Sequence, residues 1–244
     1  MRGSERPWSA VPAQVYWLLI VAVAAQLAWH AATARRPPAA EELPPPPAAF
    51  LLKLASFGEP AALARVAMLW LQAFDSSAAN AIPYQRLDYA RLVAWLEAIS
   101  AVDPRSEYPL FVAARVYAEN TQQAKARLVL EHIYRQFEAD PNRRWPALAH
   151  AALLAKHRLH DLPLARRYAA ALQRQTTDPS IPSWATQMEV FILEDMNELE
   201  AARILLGGLL ATGRIRDPQE ARFLQRRLEE IEARQEGSPG GAKR

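Results

Sequence analysis

The residues best placed to do chemistry are His150, His157, His160 and Asp161. His157 and His160 stand three residues apart and His150 two turns before His157, so the three fall on roughly one side of a helix. Imidazole and carboxylate are the usual protein ligands of a divalent metal. The spacing is not the His-Glu-x-x-His arrangement of zinc proteases. Lys156 and Arg158 are interleaved with the histidines and would repel a cation. The reading is therefore histidines at helix ends and packing positions, with no metal. Asp75 and Asp88 flank a loop over 75–85 and form the other candidate pair. Two carboxylates can share acid–base work, for instance on a glycan. Capping explains them more simply. Asp75 would open a turn with Ser76 and Ser77, and Asp88 would stand in a first helical turn, where negative charge is favourable.

Other routes to catalysis are closed by composition. There is no cysteine, which removes thiolate nucleophiles, thiolate metal sites, disulfides and a lipid-modified cysteine anchor. No serine stands in a nucleophile elbow. Of 8 glycines, Gly3, Gly237, Gly240 and Gly241 lie near the ends, so nucleotide chemistry on a mid-chain glycine-rich loop is not expected. The sequence predicts a protein that is not an enzyme, with no cofactor and no small-molecule substrate.

The 244 residues are 51% apolar, which supports a packed core. Alanine, leucine and arginine are abundant while valine, isoleucine and threonine are sparse, and this predicts an all-α fold. The 29 basic and 26 acidic residues are interspersed. Without a basic stripe, no nucleic-acid partner is expected.

Residues 1–10 read as a short tail. Residues 11–34 contain no Asp, Glu, Lys or Arg, and Trp17 and Trp29 lie toward the two ends of the apolar run. A membrane-spanning helix needs ~20 apolar residues and favours interfacial aromatics. The segment is read as a transmembrane anchor. A signal peptide cleaved after Ala34, at Ala32-Thr33-Ala34, and a buried core helix are its competitors. Arg2 and Arg6 before the span balance Arg35 and Arg36 after it. The orientation expected for a short tail and a large following domain is N-in, C-out, with the domain periplasmic in a bacterial inner membrane. Residues 35–47 are a proline-rich linker. At ~3.1 Å per residue in polyproline II, the stretch Pro37–Pro47 would form a semi-rigid stalk of roughly 30 Å.

Residues 48–236 carry the strongest pattern. Asp-Pro occurs at Asp103-Pro104, Asp140-Pro141, Asp178-Pro179 and Asp217-Pro218, at spacings of 37, 38 and 39 residues. Proline stops a helix and aspartate caps the next, so the dipeptide punctuates a repeat. An aromatic follows each of the first three (Tyr108, Trp145, Trp184) and a proline lies near it (Pro109, Pro146, Pro182), as expected in a first helical turn. A polar break and a second helix come next. Asn120-Thr121, Asp161, and Asn197 with Glu200 are the predicted start signals of the second helices. Those helices carry apolar stripes such as Ala126, Leu130, Ile133 and Phe137, which need covering neighbours. Residues 60–74 and 86–102 read as a further pair, residues 219–235 as a charged capping helix, and 237–244 as a tail. Gly207-Gly208, inside a leucine-rich helix, suggests a close helix crossing.

Helix–turn–helix units of this length, closed by Asp-Pro and filled with small and aromatic residues, resemble tetratricopeptide repeats over residues 60–235. The family's unit is about 34 residues. Its Trp-Leu-Gly-Tyr pattern is not reproduced here, and no glycine occurs in the first helices, so another α-solenoid fits as well. The resemblance implies helix–turn–helix repeats stacked as an α-solenoid that binds other proteins along a surface lined by first helices. It also implies a role beside membrane or envelope proteins, in assembling or stabilising a complex. Arg115, Lys156 and Gln187 are the polar first-helix residues expected to meet a partner. The competing expectations are a periplasmic enzyme on a helical scaffold, for example one acting on peptidoglycan, and a constitutive subunit of a membrane complex.

Overall fold

The computed structural model describes residues 12–33, 43–76, 84–211, 215 and 217–236. The predicted tails over 1–10 and 237–244, and most of the linker, lie outside them. The described residues hold α-helices and short 3₁₀ turns, with no strand. The chain divides into two units, of which the smaller contains α1, Ala13–Thr33. Ala13–His30 is long and apolar enough to cross a membrane, and none of that stretch is buried.

The larger unit contains α2 (Ala49–Ala55), α3 (Pro60–Ser76), α4 (Tyr89–Val102), α5 (Tyr108–Arg115), α6 (Gln123–Ala139), α7 (Pro141–His157), α8 (Leu162–Gln175), α9 (Ser183–Thr186), α10 (Met188–Asp195), α11 (Leu199–Ala211) and α12 (Pro218–Glu236). It begins within the stretch read as linker. Leu43 is buried, its carbonyl accepts from Arg91 Nη1 at 2.9 Å, and the Pro44 carbonyl accepts from Trp95 Nε1 at 2.7 Å. Those contacts tie the end of the proline-rich segment to α4 instead of leaving it as stalk.

Local signals set the helix starts. Asp88 Oδ1 accepts from the Ala90 and Arg91 amides at 2.9 and 3.2 Å and caps α4. Asp161 Oδ1 accepts from the Leu164 amide at 2.9 Å and caps α8. The Asp-Pro pairs act in two ways. At Asp140-Pro141 and Asp217-Pro218 the proline is the first helical residue. At Asp103-Pro104 and Asp178-Pro179 the aspartate instead closes a turn, accepting from Arg105 and Ser180 amides. Several predicted details are corrected. Pro146 lies inside α7, because that helix starts five residues earlier at Pro141. Asn197 does not cap α11. It sits at φ +59, and its amide and that of Glu198 bond back to the Glu194 and Leu193 carbonyls, so it terminates α10. Asn120 stands three residues before α6 and shapes its entry, its Oδ1 accepting from the Gln122 amide. The first helix of the third interval is broken into α9 and α10 at Gln187. Asp75 lies within the last turn of α3 instead of opening a turn after it.

Within the larger unit each helix packs on its chain neighbour, and α4 meets α6 while α5 meets α7. Side-chain bonds recur at about one interval. Tyr108 reaches Gln72, Arg135 reaches Glu97, Arg143 reaches the Pro104 carbonyl, Arg158 reaches Glu119 and Arg167 reaches Glu131, at separations of 36 to 39 residues. Tyr134 stacks on Tyr168 at 5.5 Å, and Trp145 meets Trp184 edge-on at 5.7 Å. One apolar core runs from Leu43 to Ile192. A second, built on Val190, Leu193, Ala202, Leu206, Leu224 and Ile231, joins α10 to α11 and α12.

Candidate functional site

A groove of about 190 Å³ opens between α5 and α7, the first helices of consecutive intervals. Leu110, Phe111 and Ala114 on α5 and Pro146 and Ala147 on α7 give it apolar walls. Glu107, Arg115, Arg143, Arg144 and His150 add polar groups. Phe111 is 58% exposed, an uncommon position for a large aromatic ring. The helix spacing explains the exposure: Leu110, Ala113 and Ala114 occupy the inward face of α5, which leaves Phe111 and Arg115 to point outward, one turn apart.

The basic groups are not equivalent. Arg144 donates to the Gln136 carbonyl, Gln136 Oε1 and the Pro104 carbonyl at 2.8, 2.7 and 3.1 Å. Burial, and then the Arg143 charge, lower its pKa. Arg143 bonds to the same Pro104 carbonyl at 2.7 Å and pairs with Asp140 at 2.9 Å. These two residues brace one Asp-Pro turn against the next. Arg115 is exposed and makes no hydrogen bond or ion pair among the described residues, so its guanidinium is available to a ligand. His150 is half-buried, and its Nε2 is buried without a hydrogen bond, 3.9 Å from Glu119 Oε1. Burial, then the Arg115 charge, hold its pKa below the usual histidine value. Among the described residues the groove therefore offers an apolar wall, the unpaired Arg115 at its rim, an imidazole and the Glu107 carboxylate.

The other expected site residues lie elsewhere. Lys156 pairs with Asp195 and so joins α7 to α10. Gln187 is buried at the break between α9 and α10 and donates to Glu220 of α12. Both side chains are engaged between intervals, and neither lines the groove. His157 and His160 are exposed, while Asp161 caps α8 and pairs with Arg127 at 2.6 Å. Among the described residues no three His, Asp or Glu side chains gather as a metal site would require. Asp88 is committed to its cap, and the loop 77–83 lies outside the described residues. No family model, curated protein or solved structure matches the chain.

Sequence reasoning missed Phe111 and His150 as groove residues. The available signal was a large apolar residue out of phase with the buried face of its own helix.

Proposed function

We propose that this protein is a membrane-anchored scaffold that holds another polypeptide in the groove between α5 and α7. On this reading residues 11–34 anchor it in a bacterial inner membrane, and its domain is a tetratricopeptide-like α-solenoid on the periplasmic side. The observation that carries the reading is the groove, whose apolar walls and free Arg115 suit an extended or helical peptide with an acidic group beside an apolar residue. The recurrence of side-chain bonds at about one Asp-Pro interval supports the stacked-repeat part. The role suggested is to assist assembly or stability of an envelope complex.

The test is affinity purification from detergent-solubilised membranes of the native host, run in parallel for wild type and for a Phe111→Asp, Arg115→Glu variant. The expected result is a protein retained by wild type and lost from the variant, at an unchanged melting temperature. Equal retention by both would remove the groove from the account, and a collapsed melting temperature would make the two residues structural.

A second reading, a constitutive subunit of a membrane complex, is favoured by an uncovered apolar face on α2 and α3. Contiguous exposed apolar surface marks contact with something other than water.

A further inference from the structure

A bound peptide does not by itself account for the imidazole of His150. The ring lines the groove from α7, and its Nε2 is buried with no hydrogen-bond partner. As donor or as acceptor, a buried nitrogen in that condition costs free energy. Glu119 Oε1 stands 3.9 Å away, too far for a hydrogen bond and close enough for a Coulombic pull. Glu119 closes the 3₁₀ turn Tyr117–Glu119 that follows α5, and its other oxygen, Oε2, accepts from Arg158 Nη1 at 3.3 Å. An imidazolium at this place would face a carboxylate already fixed in position.

Three influences decide whether the ring takes a second proton. Burial opposes it most, the Arg115 charge opposes it next, and Glu119 favours it. α7 also packs on α6 and α8, and among the described residues neither brings a charged group into an ion pair or hydrogen bond with His150. Arg143 and Arg144, on its own helix, are engaged with the Pro104 carbonyl. Burial of Nε2 is already complete and Glu119 is held, so the Arg115 charge is the influence that a ligand changes most. Arg115 is exposed and unpaired among the described residues. A carboxylate entering the groove pairs with it and cancels its repulsion of the ring.

We propose that the groove is a proton-coupled receptor for a carboxylate: binding at Arg115 lets His150 take up a proton and close on Glu119, so that acid tightens binding. This rests on the peptide reading of the groove given above and adds its regulation. Binding and protonation strengthen one another by the same factor. A bound state that holds the extra proton gains affinity as pH falls through the range in which His150 titrates. The carboxylate of the ligand acts in the opposite sense, since it loses its charge toward pH ~4.3. Tightening on acidification therefore belongs to the histidine.

The probe for the test is 3-phenylpropionate, whose carboxylate suits Arg115 and whose ring suits Phe111 and Pro146. Its uncharged counterpart is 3-phenylpropanamide. Full-length protein carrying ring-labelled histidine is placed in phosphatidylcholine nanodiscs and titrated by NMR. The His150 line is the one lost in His150→Gln, or in His150→Asn should the first variant lose native helicity. With 3-phenylpropionate bound, and separately in Arg115→Gln, that line should titrate at higher pH than in the free wild type. The amide should leave it in place. The dissociation constant of 3-phenylpropionate should fall about fivefold or more between pH ~7.5 and pH ~5.5 in the wild type, and stay level without His150. Equal binding at both pH values, or a His150 line unmoved by Arg115→Gln, would overturn the proton coupling and leave the groove standing. Absence of saturable binding, or binding undiminished in Arg115→Gln, would overturn the carboxylate site itself and the peptide reading with it.

Discussion

The first and last long helices of the larger unit solve the same problem in opposite ways. Among the described residues of the larger unit, α3 packs on α2 and α4 and α12 packs on α11, and each turns another side outward. α12 buries Leu224 and Ile231 and exposes Arg222, Gln225, Arg226, Glu229 and Glu232. α3 buries Met68 and Leu71 and exposes Val66, Leu69 and Trp70. A charged outer face is the form in which an array of helices ends against water. An apolar one leaves surface that water disfavours at about 25 cal/mol per Å². The difference is one of surface chemistry: α12 turns charge outward, whereas α3 turns outward the apolar side chains of Val66 and Leu69.

The largest expected effect comes from unseating the charged end. Glu194 has a side chain only 5% exposed and accepts from Arg227 Nε and Nη2 at 3.0 and 2.6 Å, with Arg234 Nη1 at 3.6 Å. Arg227→Glu should cost about 4 kcal/mol, because a buried carboxylate would face a like charge. Since α10, α11 and α12 share a separate core, hydrogen exchange should rise in α11 and α12 before α4 to α8 are affected. Uniform loss of protection would show that the C-terminal end is not a separable cap.

Acid should act next, and in the middle. His132 is buried, lacks a hydrogen bond at either ring nitrogen, and stands 3.6 Å from Glu97, with Arg135 and Arg144 nearby. Burial lowers its pKa to about 4, against the partly compensating pull of Glu97. Burial also pushes Glu97 up, but its bond to Arg135 and the adjacent charges outweigh that and hold it below the usual carboxylate value. For His132 the unfolded chain takes up a proton below pH ~6.5 that the folded chain refuses until about pH 4. This contribution to stability is therefore complete above pH ~6.5 and falls away toward pH 4, by roughly 3 kcal/mol in all. Denaturant titrations across that window should show the slope, and His132→Leu should flatten it.

Two smaller effects bear on the apolar end. Asp88→Ala removes the cap of α4, the helix on which α3 rests, and should cost about 1 kcal/mol in denaturant melts. Leu54→Ser with Leu69→Ser should change stability in detergent by less than about 0.5 kcal/mol, because both side chains are already exposed. A larger loss would mean that the face is covered by the protein itself.

The elements most legible in the sequence were those set by local chemistry. Asp88 and Asp161 announce their caps by type and position, and Asp-Pro marks the intervals. What escaped depended on backbone sign or on distant neighbours. Asn197 reads as a helix start until its positive φ places it at a helix end. Leu43 is hidden among prolines, and only the folded chain brings Arg91 and Trp95 to the adjacent carbonyls. Lys156 and Gln187 look free on their own helices, yet each is taken by a residue about one interval onward. Arg115, chosen with them as a polar first-helix residue, does line the groove.

The central claim is that the α5–α7 groove receives another polypeptide, and photo-crosslinking in the living host tests it most directly. A photoreactive residue at Phe111 should give a discrete adduct with another protein. The same residue at Phe223, exposed on the charged end, should give none, and Arg115→Glu should abolish the adduct at 111. No adduct at 111, or the same adducts from 111 and 223, would contradict the account.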